Sequence, residues 1–549
     1  MAKSIHLKLP ERRSAIIDSI ADVFSYQVLK RCGSELKVGE RGELSISLEL
    51  APGIGAEGFR IESGPKATVR VIGNDELGLL HGVGKLLRTS RFAPGEFLPG
   101  TWQGTSVPQK PVRGIYFATH FHNFYHDGPV AENQRYVEEL GLWGYNALAV
   151  WFDMHHYNGI DDPAAQAMIE RLRAILAAAK RVGMKTGLTT LANEAYANSP
   201  KELRSDPNTH RAHYGVELCP SKPGAIELTL KWHEERLEAF ADLEPDYLWV
   251  WPYDQGGCAC KDCAPWGANG FLRIAEPVAR LYRRYFSKGK VVFSTWLYDM
   301  HKDEGEWRGL TKAFERRPDW VDYVMVESHA EFPRYPLEHG VPGGLPMVNF
   351  PEISMRGMWP WGGFGANPIA RWFQHLWDVA GAKLSGGFPY SEGIFEDINK
   401  AVCAQFYWKE STKAMDTVRE YAAFECSPDV ADDVTRAIDI LEKNHERGWT
   451  GFRDGRSIEP VVMPKDQGAE EALALLQKAD GRLTEAARKA WRWRILLLRG
   501  VIDVELYRTG GMVTEKCEGA FEELKRIFHA DGAEAQVHPP TAEMRESSR

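Results

Sequence analysis

Between about residues 112 and 400, short apolar runs rich in β-branched and aromatic residues alternate with longer stretches of helical spacing. The longer stretches, such as QRYVEELGLWG and AMIERLRAILAAAKRVG, predict amphipathic helices. Eight strand-then-helix units in a segment of this length predict a (β/α)8 TIM barrel, an α/β fold. The predicted strands are RGIYFATH (113–120), NALAVWFD (146–153), MKTGLTTL (184–191), DYLWVWPYD (246–254), VVFSTWLYD (291–299), DYVMVES (322–328), PMVNFPEIS (346–354) and GGFPYSEG (386–393).

The chain on either side of the barrel follows other patterns. Before it, ELSISLEL, GFRIESG and ATVRVIG alternate as strands do, and NDELGLLHGVGKLLRTS has apolar residues at helical spacing. After it, apolar residues recur at i, i+3 and i+4 through several long stretches. We therefore predict a small N-terminal α+β domain over 1–108, a catalytic barrel over 112–408 and a C-terminal α-helical domain over 409–549.

Charge and hydropathy restrict the partners. The net charge is −9 and no long basic run is present, so we expect neither nucleic acid nor an anionic membrane as a partner. The N-terminus has no apolar signal-peptide region, and no run approaches the ~18 apolar residues of a membrane span. These features favour a cytoplasmic protein, and they leave both a monomer and a homo-oligomer open.

Chemistry in such barrels is placed at the carboxyl ends of the strands. Here those ends supply carboxylates, histidines and aromatic residues, with no Gly-rich phosphate loop and no dinucleotide fingerprint, so no organic cofactor is expected. Carboxylates beside tryptophans are typical of glycoside hydrolysis, which needs a proton donor and a second carboxylate. The alternative for any single acid is a solvated loop residue or a helix cap. The strand ends supply His120, His122, Asp153, His155, His156, Asn193, Glu194, Asp254, Trp296, Asp299, Glu327, His329, Glu352 and Glu392.

Three segments resemble the β-N-acetylhexosaminidase and α-glucuronidase group of glycoside hydrolases. Residues 59–88 resemble the small domain before the barrel, VRGIYF (112–117) the first barrel strand, and GGFPYSEG (386–393) the last. The resemblance implies that Arg113 and Glu392 bind sugar hydroxyls, and hence an exo-acting enzyme that removes a terminal sugar from an oligosaccharide. The Cys-x-Cys-x-x-Cys after the fourth strand is similar to that of bacterial relatives.

One position departs from the hexosaminidase pattern. Those enzymes end the fourth strand in Asp-Glu, whereas this chain has Asp254-Gln255, and glutamine donates no catalytic proton. We therefore predict Asp254 as the general acid, with a pKa raised by its aromatic neighbours, and Glu327 as the base or nucleophile. Glu352 and Glu194 are the reserve carboxylates. The predicted substrate-binding residues are Arg113, His120, His122, Trp151, His155, Glu194, Trp296, Glu352 and Glu392.

Two other functions stay open on the sequence. The histidines of ATHFHNFYHD (118–127) and DMHH (153–156) have the spacing of metal ligands and suit a metal-dependent barrel hydrolase. They equally suit hydrogen bonding to sugar hydroxyls, or a structural role. Because Gln255 breaks the Asp-Glu pair, a catalytically inactive carbohydrate-binding protein is the third possibility.

The cysteines of the fourth loop form a separate feature. Cys258, Cys260 and Cys263 are one thiolate short of a closed tetrahedral zinc site, and Cys219 on the preceding loop supplies a fourth. Four thiolates leave no open position, so the ion would be structural. A disulfide and reduced thiols without metal are the alternatives.

Overall fold

A computed structural model of the chain describes residues 5–39, 44–64, 68–121, 123–207, 214–252, 257–300, 303–328, 331–354, 365–444, 468–509 and 514–530. Three regions follow one another in these residues: a sheet with two helices, a closed barrel of parallel strands, and a group of helices. None of the described helices combines the length and the apolar character needed to cross a bilayer.

The N-terminal region is a mixed six-stranded sheet in the strand order β2-β1-β3-β5-β4-β8, with a separate hairpin of β6 and β7. The sheet and its helices share an apolar core with the barrel helices. The strands are β1 (Ile5–Lys8), β2 (Leu36–Val38), β3 (Leu44–Leu50), β4 (Phe59–Gly64), β5 (Thr68–Gly73), β6 (Arg91–Ala93), β7 (Glu96–Leu98) and β8 (Gly104–Ser106), and the helices are α1 (Ala15–Cys32) and α2 (Glu76–Thr89).

The barrel contains all eight predicted strands, each paired in parallel with the next. The last predicted run is divided into β16 and β17, and both pair with β9 to close the barrel. The strands are β9 (Val112–Phe117), β10 (Ala147–Trp151), β11 (Lys185–Leu191), β12 (Tyr247–Trp251), β13 (Lys290–Ser294), β14 (Tyr323–Ser328), β15 (Met347–Pro351), β16 (Leu384–Gly387) and β17 (Tyr390–Ser391). The helices between them are α3 (Phe124–Asp127), α4 (Val130–Trp143), α5 (Pro163–Arg181), α6 (Ala225–Ala239), α7 (Gly270–Tyr285), α8 (Glu306–Ala313), α9 (Arg334–His339) and α10 (Ala370–Ala380).

Closure of the barrel depends on a glycine. Gly386 has φ of 123°, and a Cβ there would overlap the backbone carbonyl of Val112 on β9. Both the backbone conformation and the close approach of the two strands therefore require glycine at this position.

The C-terminal helices pack against the barrel through a buried ion-pair network. Arg492 of α16 lies 2.7 Å from Asp397 and 2.7 Å from Glu139 of α4, and all three side chains are buried. The helix after β17, α11 (Asp397–Trp408), is the last of the barrel, and the helices that follow it are α12 (Ala414–Glu425), α13 (Ala431–Lys443), α14 (Ala469–Asp480), α15 (Glu485–Lys489), α16 (Trp491–Arg508) and α17 (Glu515–Ile527).

Candidate active site

Aromatic side chains fill the interior of the barrel. Successive strand residues point alternately inward and outward, and the inward positions form one apolar cluster separate from the main core. Its aromatic members fill the centre of the barrel below the carboxyl ends of the strands. They are Tyr116, Trp151, Tyr247, Trp249, Trp251, Phe350, Phe388 and Tyr390, with Tyr214, Trp296 and Tyr323 partly buried against them.

The same alternation brings polar residues into the interior just where the strands end. Tyr323 and Met325 of β14 face inward, so Glu327 is the next inward position. By the same count, the inward series of β9, β10, β15 and β17 continue to a polar residue, and each of these residues is buried. The buried polar residues placed in this way are His120, Asp153, Glu327, Glu352 and Glu392.

Glu194 reaches this group from the loop after β11. Its carboxylate accepts hydrogen bonds from the Trp151 indole at 3.1 Å and from the Met154 backbone N–H at 2.8 Å. Burial raises the pKa of Glu194 to about 8, although Arg236 and these hydrogen bonds act in the opposite direction. The side chain is therefore largely protonated near neutral pH and is able to donate a proton.

Glu352 and Glu392 form a pair on the last two barrel positions. Ser354 joins them, because its backbone N–H donates to the Glu352 carboxylate at 2.7 Å and its hydroxyl accepts from the Glu392 N–H at 3.0 Å. The Tyr390 hydroxyl donates to Glu392 at 2.7 Å. Burial, and then the charge of Glu352, raise the pKa of Glu392 well above its usual range. This pair suits hydrogen bonding to sugar hydroxyls, with Glu392 as a donor.

The predicted catalytic pair is described only in part. Glu327 is the penultimate residue of β14, lies opposite Phe350 of β15, and is buried. Asp254 and Gln255 lie outside the described residues, three and four positions after β12 ends at Trp251. The Trp296 ring contacts Trp251 at 6.0 Å and Phe350 at 5.4 Å between centroids, which places it at the mouth of the aromatic interior.

The histidines divide between the interior and its rim. His120 is buried, with its Nδ1 3.5 Å from the Tyr116 hydroxyl and its ring 4.8 Å from that of Trp151. His155 stacks on Tyr214. Burial lowers the pKa of His120 to about 3 and that of His155 to about 4, so both imidazoles are neutral at physiological pH. His122 lies outside the described residues.

Asp153 and the two histidines that follow it form a close group. The Asp153 carboxylate lies 2.8 Å from His156 Nδ1. One potential ligand atom from each of Asp153, His155 and His156 lies within 4.8 Å of the other two. Burial raises the pKa of Asp153, but the hydrogen bond and positive charge of His156 outweigh burial and leave that pKa below its usual range.

The prediction for Arg113 is corrected by the structure. Arg113 is the second residue of β9, at the amino end of the barrel, and is fully buried. Its guanidinium donates to the carbonyls of Gly144 at 2.8 Å and Lys110 at 2.9 Å and pairs with Glu57 of the N-terminal region. These contacts occupy it at the end opposite to the site. Arg113 therefore joins the N-terminal region to the barrel and does not reach a substrate among the buried carboxylates.

Asp299 acts as a cap for the start of a helix and not as a residue of the site. It lies five residues beyond β13, has φ of 52°, and its carboxylate accepts the backbone N–H groups of Glu304, Glu306 and Trp307 at 2.9 to 3.1 Å. This acid organises the start of α8 and does not belong to the carboxylate group.

The four predicted cysteines lie together. The Sγ atoms of the four cysteines lie within 4.8 Å of one another: Cys219, Cys258, Cys260 and Cys263. The Sγ of Cys219 is 3.8 Å from the Sγ of Cys260 and 3.8 Å from the Sγ of Cys263. All are free thiols, so the structure contains no disulfide here. A tetrahedral ion with Zn–S bonds of about 2.3 Å has S–S edges of about 3.8 Å. The cluster therefore has the donors and the size of a metal site.

Sequence reasoning missed several residues that shape this site. Tyr116 and Phe350 line the interior, Ser354 joins the Glu352 and Glu392 pair, and buried Arg236 of α6 lies behind Glu194. Counting inward positions at every second residue of each strand would have found Tyr116 and Phe350. No sequence signal marks Ser354 or Arg236, because their contacts depend on the loop and helix geometry.

Comparisons with known proteins bear on the fold. No protein-family model matches the chain, and no curated protein matches it. Among solved structures, a GH20 β-N-acetylhexosaminidase from Streptomyces coelicolor aligns with a TM-score of 0.54 and 17% identity, over 80% of this chain and 92% of that one. A GH115 4-O-methyl-α-glucuronidase with specificity for decorated arabinogalactans aligns with a TM-score of 0.62 and 11% identity, over 99% of this chain and 79% of that one.

A third solved structure extends the range of families. A GH89 enzyme from Clostridium perfringens, in complex with its substrate GlcNAc-α-1,4-galactose, aligns with a TM-score of 0.61 and 12% identity, over 93% of this chain and 65% of that one. The structural neighbours are thus glycoside hydrolases of several families, and the identities of 11 to 17% establish a shared fold. The predicted TIM barrel with an N-terminal strand and helix region and a C-terminal helical region is confirmed.

Proposed function

We propose that the protein is an exo-acting glycoside hydrolase that removes a terminal sugar from an oligosaccharide. The observation that carries this proposal is the group of buried carboxyl residues, Glu194, Glu327, Glu352 and Glu392, around an aromatic interior at the carboxyl ends of the strands. A carboxyl pair supplies acid and base or nucleophile across an oxocarbenium-like transition state, and aromatic faces bind sugar rings. The shared fold with glycoside hydrolases supports this assignment.

Glu327 and Asp254 are the proposed catalytic pair. Asp254 donates a proton to the glycosidic oxygen as the bond to the leaving group breaks. Glu327, inward-facing on β14, either activates water or attacks the anomeric carbon. Glu194 is the reserve acid, because burial raises its pKa to about 8.

We propose exo action, which the filled interior of the barrel supports. The rings of Tyr116, Trp249 and Phe350 contact one another with centroids 4.7 to 6.0 Å apart and fill the barrel below the carboxylates. A substrate therefore approaches from the carboxyl ends of the strands, and we propose that the end of an oligosaccharide enters first. We assign the binding of that terminal sugar's hydroxyls to Glu352 and Glu392, without a contribution from Arg113.

A panel of aryl α- and β-glycosides, including N-acetylhexosaminides and glucuronides, tests the activity. We expect turnover of at least one member and release of a single sugar per event from a labelled oligosaccharide. The Asp254→Asn variant should lose about 100- to 10,000-fold in kcat/KM. Binding of sugars by calorimetry without turnover of any member would refute catalysis and identify an inactive carbohydrate-binding protein.

We also propose that the cysteine cluster holds a structural zinc ion. Its support is the S–S separation of 3.8 Å, the tetrahedral edge for zinc, in a four-thiolate shell that leaves no open position. The cluster joins two loops of the site. Cys219 follows Leu218, whose backbone N–H donates to Asn193 beside Glu194 at 3.1 Å, and Cys258 lies four residues after Asp254. Zinc would thus fix the loops that carry two acids.

Metal analysis of the protein purified without chelator tests the zinc proposal. We expect about one zinc per chain in the cysteine cluster, lost in Cys219→Ser together with thermal stability. Cys517→Ser is the matched control, since Cys517 is a buried thiol on α17, far from the cluster in sequence. Equal zinc content in Cys219→Ser and the wild type would exclude this site.

A further inference from the structure

The group formed by Asp153, His155 and His156 contains buried polar atoms to which the described residues supply no hydrogen bond. One carboxylate oxygen of Asp153 is within 2.8 Å of His156 Nδ1. Within the described part of the chain, the other oxygen, Oδ1, and the Nδ1 of His155 are buried without a hydrogen-bond partner. A buried carboxylate oxygen without a partner is destabilising, because its lost hydration is not replaced. A bound ligand between them would satisfy both atoms.

We infer that Asp153, His155 and His156 bind a divalent transition-metal ion at the carboxyl end of β10. The three potential ligand atoms lie within 4.8 Å of one another. Metal–ligand bonds of about 2.0–2.2 Å place tetrahedral ligand atoms about 3.3–3.6 Å apart. Ligand atoms at the 4.8 Å limit therefore need to approach one another by about 1–1.5 Å. The Asp153 oxygen and His156 Nδ1, which lie 2.8 Å apart, need to separate by about 0.5–0.8 Å as the ion replaces the hydrogen bond between them. A single cation would satisfy both orphaned atoms.

The donor set determines the class of ion. Two imidazole nitrogens and one carboxylate oxygen favour Zn²⁺, Co²⁺, Ni²⁺ or Mn²⁺ over Ca²⁺ and Mg²⁺, which prefer oxygen ligands. Three protein ligands leave at least one coordination position for water or a substrate hydroxyl, unlike the closed shell of the cysteine cluster. Asp153 is an inward position of β10, so the open position faces the group of buried carboxylates.

This site is independent of the proposed glycosidase activity and of the zinc at the cysteines. His156 contributes an imidazole from the surface, with 41% of its side chain exposed, while Asp153 is buried. An ion thus has an entry path from solvent, and the His156 ligand can be removed without opening the core. Because His156 is exposed, we expect a substitution at this position to leave the fold intact.

Cobalt titration of the protein loaded with a single equivalent of Zn²⁺, which the four thiolates of the cysteine cluster take up first, tests the inference. We expect one further equivalent of Co²⁺ per chain, with ligand-field absorption and without the thiolate-to-cobalt charge-transfer band that the cysteines would give. His156→Ala and Asp153→Asn should each weaken this binding by more than the ~10- to 100-fold that loss of an outer-shell partner costs. His375→Ala is the control, since His375 is an exposed imidazole 3.1 Å from Glu331 on another surface.

Two results would overturn the inference. One is the absence of Co²⁺ binding beyond the cysteine cluster. The other is equal Co²⁺ affinity in the wild type, His156→Ala and Asp153→Asn, with unchanged circular dichroism showing that the variants are folded. Because the readout is metal binding, neither result depends on whether the protein hydrolyses glycosides.

Discussion

The raised pKa of Glu194 predicts a specific pH dependence of stability. The folded-state pKa is about 8 against an ordinary 4.5, because burial disfavours the carboxylate more than Arg236 and the hydrogen bonds from Trp151 and Met154 favour it. A raised carboxyl pKa means that the folded protein binds the proton more tightly than the unfolded chain. Its stabilising effect is thus complete below pH 4.5 and is lost as the pH rises to about 8. The difference between these pKa values corresponds to about 5 kcal/mol.

Glu194→Gln removes this dependence and keeps the shape of the side chain. Its amide oxygen can still accept the hydrogen bonds from Trp151 and Met154, but it does not ionise. We expect the melting temperature of Glu194→Gln, relative to the wild type, to rise between about pH 5 and pH 9. With about 2.1 cal/mol/K per residue over 549 residues, 5 kcal/mol corresponds to about 4 °C. Scanning calorimetry at several pH values measures the difference.

Glu420→Gln is the matched control, because its pKa is perturbed in the opposite direction. Burial raises the pKa of Glu420, but Arg88 and Lys85 outweigh burial and lower it to about 2. That stabilisation is complete above the ordinary 4.5, so the difference between Glu420→Gln and the wild type should stay constant from pH 5 to pH 9. A difference for Glu194→Gln that is flat, or that falls with rising pH, would refute the reasoning.

Three further substitutions test how the regions are joined. Arg492→Met leaves buried carboxylates unpaired and should cost about 3–5 kcal/mol of unfolding free energy, whereas Arg494→Met, in a partly exposed pair with Glu523, should cost about 1 kcal/mol or less by calorimetry. Glu57→Gln should lower the melting temperature, because it leaves Arg113 buried without its carboxylate, and it should leave KM unchanged. An increased KM would indicate that Arg113 contributes to substrate binding. Gly386→Ala should prevent closure at β9 and yield little soluble protein, and normal expression with an unchanged melting temperature would contradict this.

The barrel was predictable because its strands are buried on both faces and therefore appear as apolar runs. The predicted carboxyl ends were mostly too long. The run 291–299 continues through Trp296 and Leu297, whereas β13 ends at Ser294 and Leu297 has φ of 59°. Aromatic residues that line the mouth of a barrel resemble strand residues in sequence, since both are apolar. Local pattern therefore does not separate the end of a strand from the beginning of its functional loop.

The sequence was sufficient to predict which barrel strands carry acidic residues at their carboxyl ends. Glu327, Glu352 and Glu392 are buried at strand ends, and their inward direction follows from a period of two. The prediction for Arg113 was wrong for a reason visible in the sequence. Arg113 lies at the start of its strand and therefore at the amino end of the barrel. The pKa of Glu194 is raised by burial and is opposed by the charge of Arg236 from a distant helix, and the local sequence reveals neither effect.

The kcat/KM of Glu327→Gln on a glycoside that the wild type hydrolyses tests the central claim most directly. Glutamine keeps the size of Glu327 and removes its ability to act as base or nucleophile. The matched control is Glu338→Gln, since Glu338 of α9 is an exposed glutamate whose carboxylate is 3.8 Å from Arg334. We predict a loss of about 100- to 10,000-fold for Glu327→Gln and unchanged activity for Glu338→Gln. Full activity of Glu327→Gln would contradict the account.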